Sequence, residues 1–423
     1  MEYWKKMVIV HAIATYTDVM DLAVMGLVIP LVMPIWKIGP ADIALLSMIT
    51  LPLMIIFSYA AGFSMDAIGR KKVWMLGNLV CGIACLLSIL SQNWLQFCAY
   101  RAVQQAFTSW ATQGVYTMLA EESPPDKRST LTAVATTFPG LVASLSMGGI
   151  VSLKAIYPWI DWWTLMIWLG VWNIIATALG AAVLREPPIW YERKQLIKEG
   201  KLPKERRLEL HKLLFKKEYR GPYWTAMIVA VIFGFQAVFA VPNTDYGSWF
   251  TVAVLKFDAV VIGQITMATS WFGLIIRHLV GYTADKIGRL KAGLLYGTLA
   301  TIITQVMWRL PYFLPVGPNL PLIVAWVICT YIFGHAAATD LGWFMMIGES
   351  IPTQVRATGM ALQWVLRRVL LLIFSPMVGF LAAQIQPPIE LFAFYQLAWG
   401  IIGLAIILFA LKRGYETVGK RLE

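Results

Sequence analysis

The sequence predicts an all-α membrane protein: twelve transmembrane helices in two six-helix, pseudo-symmetric bundles, with both termini cytoplasmic. Three observations carry this expectation. Hydrophobic residues make up 59% of the 423 residues and charged residues only 14%, whereas soluble domains hold about 25% charged residues. Long apolar runs recur at the length of about 20 residues that a bilayer requires. One signature is written twice: Gly62-Phe-Ser-Met-Asp66-Ala-Ile-Gly69-Arg70-Lys-Lys72 returns as Gly281-Tyr-Thr-Ala-Asp285-Lys-Ile-Gly288-Arg289-Leu-Lys291. A repeat in corresponding positions of two halves is a common plan among membrane carriers.

The apolar runs fall at 7–34, 42–64, 73–92, 95–119, 130–152 and 162–184, and again at 223–244, 259–280, 291–313, 320–347, 357–384 and 390–411. The expected organisation is therefore an N-terminal bundle over 1–184, a central loop over 185–222, a C-terminal bundle over 223–411 and a tail over 412–423. Lys and Arg set the orientation. With the N-terminus inside, 27 of the 35 basic residues are cytoplasmic, and the outer loops hold only Lys37, Lys154, Lys256 and Arg309. The other four (Arg101, Arg277, Arg367 and Arg368) lie within spans. In the central loop, Leu208, Leu210, Leu213, Leu214 and Phe215 predict a short amphipathic helix on the cytoplasmic membrane surface, where basic flanks grip anionic lipid.

The formal charge of +12 does not point to nucleic acid, because the basic residues sit in the breaks between apolar runs rather than in a patch with interleaved aromatics. The 19 Trp and 16 Tyr suit the two membrane interfaces. Cys81, Cys85, Cys98 and Cys329 all lie in apolar stretches without flanking His or carboxylates and read as small core residues. The first apolar run is too long for a cleavable signal and reads as a span. Neither a nucleophile–base pair nor a metal-ligand constellation emerges, so we expect no enzyme, no cofactor and no metal.

Each signature follows the second span of its half, where its glycines permit a tight turn and its Asp and Arg can pair across it. A second pair of loops repeats as well. Glu122-Ser-Pro-Pro125-Asp-Lys-Arg128 follows the fourth span, and Glu349-Ser-Ile-Pro352-Thr-Gln-Val-Arg356 follows the tenth. With these motifs the chain resembles the major facilitator superfamily over essentially its whole length. The Glu…Pro…Arg loops are similar to those of its sugar-porter-like branch, which includes organic-acid symporters. Arg185-Glu-Pro-Pro-Ile-Trp190 resembles the Pro-Glu-Ser-Pro-x-Trp segment of that branch. Arg101-Ala-Val-Gln104-Gln105 resembles its Arg-x-x-Gln-Gly element, with Gln105 in place of Gly. The resemblance implies two cytoplasmic gate networks, Asp66, Arg70, Glu122 and Arg128 in the first half and Asp285, Arg289, Glu349 and Arg356 in the second. Leu290 stands where the family has a basic residue.

Ionisable residues at bilayer depth mark function. Asp18 and Asp21 lie one turn apart, about 16–21 Å along the first span from Met7, beside Tyr16 and Thr17. Two carboxylates so close favour a shared proton, which suits proton coupling; a permanent structural ion pair is the competing reading. Arg367 and Arg368, with Gln363 a turn earlier, reach similar depth in the eleventh span, and Arg suits a carboxylate ligand. Arg101 and Gln104 join the same cavity or hold Asp18 or Asp21. Further polar lining falls to Tyr16, Gln236 and Asn243, with Asp245 and Tyr246 beside them, and to His335 and Asp340. A structural His and an ordinary helix end compete with those last assignments, and Arg277-His278 reads as helix-end electrostatics.

Asp18-Val-Met-Asp21 has the Asp-x-x-Asp spacing that resembles the aromatic-acid and related organic-acid proton symporters of the superfamily, though their two middle residues differ. The resemblance implies a secondary active transporter moving a small organic carboxylate with protons. A sugar or polyol symporter, a drug or lipid exporter, and a non-transporting sensor on the same fold stay open. The expected partners are a small-molecule substrate, protons and membrane lipids, with no nucleic acid, in a monomer of the cell membrane.

Overall fold

The computed structural model describes residues 2–122, 128–200, 215–240, 245–337, 346, 350, 356–385 and 387–416. Among these described residues the chain is helical with no strand. The helices are α1 (Tyr3–Trp36), α2 (Pro40–Ile68), α3 (Arg70–Ser88), α4 (Trp94–Glu122), α5 (Arg128–Ser152), α6 (Trp162–Val183) and α7 (Pro188–Lys198), followed by α8 (Lys217–Ala240), α9 (Asp245–Ala253), α10 (Ala259–Ile287), α11 (Arg289–Phe313), α12 (Leu320–Ala337), α13 (Arg356–Gln384) and α14 (Ile389–Lys412).

Among the described residues, eight helices, α1, α2, α3, α5, α6, α11, α13 and α14, contain stretches long and apolar enough to cross a membrane, and the described parts of α10 and α12 add the apolar segments Ala259–Trp271 and Leu320–Thr330. The expected spans at 95–119 and 223–244 are outside this set, the second with side chains from 233 on outside the described residues; α4 covers the first. Gln96, Arg101, Gln104, Gln105 and Gln113 lower its hydropathy, and two of these five build the site below. Within the central loop, α7 is a helix that the sequence pattern did not show; Pro188 opens it, the first-turn position that tolerates a missing N–H. The amphipathic helix expected over 208–215 lies outside the described residues except for Phe215.

Two compact units form, residues 1–38 with 42–204 and residues 39–41 with 205–423. In the first, α1 packs against α4, α5 and α6, and α3 against α4 and α6. In the second, α11 packs against α12 and α14, and α8 against α13 and α14. The helix after each signature thus lies on the corresponding two partners in its own unit.

Small residues allow the close contacts, as expected where lipid offers helices no hydrophobic drive to associate. A Cβ at Gly77 of α3 would stand 2.6 Å from the Ala111 Cβ of α4, and one at Gly180 of α6 would stand 2.0 Å from the Trp74 ring. Trp74 anchors a core with Met7, Val10, Ala14, Val115, Met118 and Ala176. At the other end of this unit, Trp36 lies 5.3 Å from Trp162, and Trp94 stacks on Phe97 at 5.5 Å. The second unit has its own aromatic nucleus, with Trp308 4.4 Å from Phe250 and 4.8 Å from Phe392. All four cysteines are buried.

Candidate functional site

The first unit builds its polar centre from α1 and α4. On α4, Arg101, Gln104, Thr108 and Thr112 recur every three or four residues, which places them on one face. On α1, Asp18 and Asp21 share a face by the same rule. The helices run antiparallel: Asp21 meets the start of the α4 stripe and Asp18 its end.

Asp21 is 3% exposed and Arg101 is 1% exposed. The Arg101 guanidinium pairs with the Asp21 carboxylate through Nη1 and donates from Nη2 to the Asp21 backbone carbonyl at 2.6 Å. Gln104 Nε2 donates to the same carboxylate oxygen, Oδ1. Of the roles open to Arg101 and Gln104 from the sequence, holding Asp21 is the one seen. A buried charge without a counterion is costly, and this carboxylate has an Arg, an amide and a short antiparallel register to supply one.

Asp18 is set differently. It is half-buried, and Oδ2 accepts a hydrogen bond from Thr112 Oγ1 at 3.0 Å. The same hydroxyl lies 2.8 Å from the Thr108 carbonyl, so its one proton is shared between two acceptors. No cation pairs with Asp18 among the described residues. One turn of helix therefore separates an acid with a counterion from an acid with a neutral donor.

Tyr16 faces elsewhere. Its hydroxyl lies 2.9 Å from Ser146 Oγ of α5 and accepts from Trp168 Nε1 of α6 at 3.0 Å, while its ring meets Trp172 edge-on at 5.3 Å. It ties α1 to α5 and α6 rather than joining the carboxylates. On α13, Gln363 is 2% exposed and its Oε1 has no partner among the described residues. The Arg367 guanidinium lies over the Trp364 ring, 5.5 Å from its centre. Gln363 and Arg367 are four residues apart and share a face; Arg368 points about 100° away. Tyr246 is buried and donates from its hydroxyl to the Ser375 carbonyl of α13 at 2.7 Å. Gln236 on α8, His335 on α12 and Arg277-His278 on α10 have side chains outside the described residues. Asn243 and Asp340 lie outside them entirely, as does the side chain of Asp245.

Both repeated loops have the same construction. Gly69 and Gly288 sit between consecutive helices at φ of 108° and 103°, where L side chains rarely go. The helix that follows each is capped by a distant carboxylate. Glu186, just past α6, accepts from the backbone N–H of Arg70 at 2.8 Å and of Lys72 at 3.3 Å. Glu416, just past α14, accepts from Arg289 N–H at 2.9 Å and Leu290 N–H at 3.0 Å. A carboxylate at a helix N-terminus satisfies free N–H groups and complements the helix dipole. In the second loop Arg289, its side chain 9% exposed, also pairs with Asp285 across the turn. Arg70 is buried. The side chains of Asp66, Glu122, Arg128 and Arg356 lie outside the described residues, and Glu349 lies outside them entirely.

Sequence reasoning passed over Thr108, Thr112 and Glu416, and it named Glu186 only as part of the Arg185–Trp190 segment, without a role. The two threonines continue the Arg101–Gln104 spacing and were legible in principle. Glu416 carries no local signal, because its role arises only where the last helix of a half returns beside the third.

Span-length apolar helices, a buried ion pair between α1 and α4 and a loop built twice between consecutive helices define, among the described residues, a helical multi-pass membrane protein. More particularly, the chain belongs to the Major Facilitator Superfamily, whose family model matches residues 12–376. It is 22% identical over 394 residues to the cis,cis-muconate transport protein of Acinetobacter baylyi, covering 90% of this chain and 88% of that one. It is 24% identical over 388 residues to the 4-hydroxybenzoate transporter PcaK of the same organism, covering 84% and 79%. In three dimensions it is similar to a D-xylose–proton symporter at a TM-score of 0.77 and 16% identity, over 100% of both chains; that likeness concerns the fold.

Proposed function

We propose that this transporter moves a small organic carboxylate together with protons by alternating access, with twelve spans, both termini cytoplasmic, as a monomer in the cell membrane. The observation that carries the reading is the Asp21–Arg101–Gln104 cluster beside Asp18. A single buried guanidinium is a ligand for which a substrate carboxylate and Asp21 compete. When the substrate takes Arg101, Asp21 loses its counterion, and in that buried place it is neutralised by a proton. Substrate anion and proton then enter as a neutral pair, which lowers the cost of carrying charge across the bilayer. Asp18, one turn away and held by a neutral hydroxyl, is the second carboxyl through which that proton passes. Arg367, with Gln363 on the same face of α13, and Arg368 stay in this reading as candidate anion ligands of the second unit. The further substrate-binding candidates named from the sequence are Gln236, Asn243, His335 and Asp340.

The relatives' substrates support an anion: muconate and 4-hydroxybenzoate are both unsaturated carboxylates. The gate networks named from the sequence act in this reading as latches on the cytoplasmic side, with Glu186 and Glu416 as added members.

The test is substrate-induced thermal stabilisation of the purified protein against muconate, 4-hydroxybenzoate, aliphatic carboxylates, hexoses and cationic drugs. Carboxylates are expected to raise Tm; a sugar or cation hit with no carboxylate hit sinks the reading. In proteoliposomes, Asp21→Asn is expected to lower proton-driven accumulation at least about tenfold, equivalent to ~1.4 kcal/mol of lost coupling, while substrate exchange persists. Accumulation that survives both Asp21→Asn and Asp18→Asn moves the proton site elsewhere.

A further inference from the structure

In the second unit, the start of α8 and the end of α14 border an open groove of about 500 Å³ lined by Phe215, Arg220, Trp224, Ile228, Phe409 and Tyr415. Its floor is built by a close fit: a Cβ on Gly221 would stand 2.7 Å from the Tyr415 hydroxyl, so only glycine lets the tyrosine ring lie against α8. Its walls are apolar and open outward, with Phe215 57%, Ile228 43% and Phe409 51% exposed. Its rim is cationic. Arg220 is exposed and makes no ion pair among the described residues. The Arg413 guanidinium lies 5.3 Å from the centre of the Phe409 ring, and Lys216, Lys217 and Lys412 are exposed nearby in the chain. The acid closest in sequence to the tyrosine, Glu416, is occupied with the α11 backbone. The Trp224 indole N–H is buried and has no acceptor among the described residues.

Apolar walls with the Arg220 guanidinium in the lining and the Arg413 guanidinium over the Phe409 ring match one chemistry, a phosphate-bearing head on a hydrocarbon tail. We propose that this groove binds an anionic phospholipid, and that the lipid steadies the second repeated loop. The phosphate lies between Arg220 and Arg413, and an acyl chain runs along Ile228 and Phe409. The connection to the loop is covalent and short: Tyr415 forms the groove floor, and the next residue, Glu416, caps α11. A lipid that fixes Tyr415 fixes Glu416 on the Arg289 and Leu290 amides, so lipid composition sets the strength of that latch. The inference does not depend on what the protein carries.

The test uses the full-length protein in nanodiscs of phosphatidylcholine with and without phosphatidylglycerol. Hydrogen exchange is read at the Arg289 and Leu290 amides, and retained lipid is counted by native mass spectrometry. Phosphatidylglycerol is expected to slow exchange there by at least about fivefold, as binding to the folded state protects against local opening. The effect and the retained lipid should be lost in the double variant Arg220→Gln/Arg413→Gln. They should be lost as well in Ile228→Gln, which alters a wall without touching charge, and kept in Lys256→Gln, which follows α9 and does not line the groove. Full protection in both groove variants, equal loss in Lys256→Gln, or equal protection by soluble glycerol phosphate in phosphatidylcholine discs would each overturn the proposal.

Discussion

Truncating the Arg101 guanidinium isolates the central interaction of the first unit. Arg101→Gln leaves the Asp21 carboxylate, 3% exposed, with the Gln104 amide as its side-chain donor. Removing one partner of a buried pair costs about 3–5 kcal/mol, whereas replacing both by neutral groups is often close to neutral. Asp21→Asn alone should cost less than Arg101→Gln, about 2 kcal/mol on the scale of a lost charge-assisted hydrogen bond, because the guanidinium keeps the Asp21 backbone carbonyl as an acceptor. The double variant Asp21→Asn/Arg101→Gln should then lose only about 1–2 kcal/mol, less than Arg101→Gln alone. That pattern gives a coupling energy of about 3–6 kcal/mol from the double-mutant cycle. Exposed ion pairs give about 0.2–1 kcal/mol, so the two cases separate cleanly. Equilibrium unfolding in mixed micelles, followed by tryptophan fluorescence and circular dichroism, measures all four corners. A coupling below about 1 kcal/mol refutes the view that this pair sits in a low-dielectric site where proton and anion compete.

Other outcomes follow from the same geometry. Glu186→Gln and Glu416→Gln each remove the negative charge from a helix N-terminus, worth about 0.3–1 kcal/mol. Hydrogen exchange should quicken by roughly twofold to fivefold at Arg70 and Lys72 in the first variant and at Arg289 and Leu290 in the second, each without effect on the other loop. Exchange that changes at both loops in either variant would contradict independent caps. Gly180→Ala pushes a methyl to within 2.0 Å of the Trp74 ring, and such overpacking costs about 1–3 kcal/mol. Trp74→Leu in the same background should recover much of that loss, read as melting temperature; a Gly180→Ala variant as stable as the parent means that α3 and α6 are packed otherwise.

The sequence and the structure are informative about different things. Apolar runs, basic residues in the breaks and the doubled signature announce an all-helical membrane chain and its family, because bilayer length and backbone satisfaction leave few options. The close spacing of Asp18 and Asp21 was equally plain, since residues three apart on a helix are neighbours whatever surrounds them. Which of the two has a counterion was not legible. It depends on the register of α4 against α1, which puts Arg101 and Gln104 at Asp21 and leaves Thr112 for Asp18. Tyr16 illustrates the converse: near the acids in sequence, it is turned by the helix toward Ser146 and Trp168.

The repeated loop divides in the same way. Its Gly, Asp and Arg are readable because they are local: the turn needs a residue at positive φ, and the acid and base flank it. The carboxylates that complete it come from far along the chain: Glu186 stands in the segment Arg185–Trp190, which the sequence singles out without pointing to its partner, and Glu416, just past α14, stands in no such pattern. The sequence by itself determined that this protein is a helical carrier in two related halves, through composition, span length and repetition. Only the tertiary structure decided which charges neutralise one another, because pairing inside a membrane depends on which helix faces arrive at the same depth.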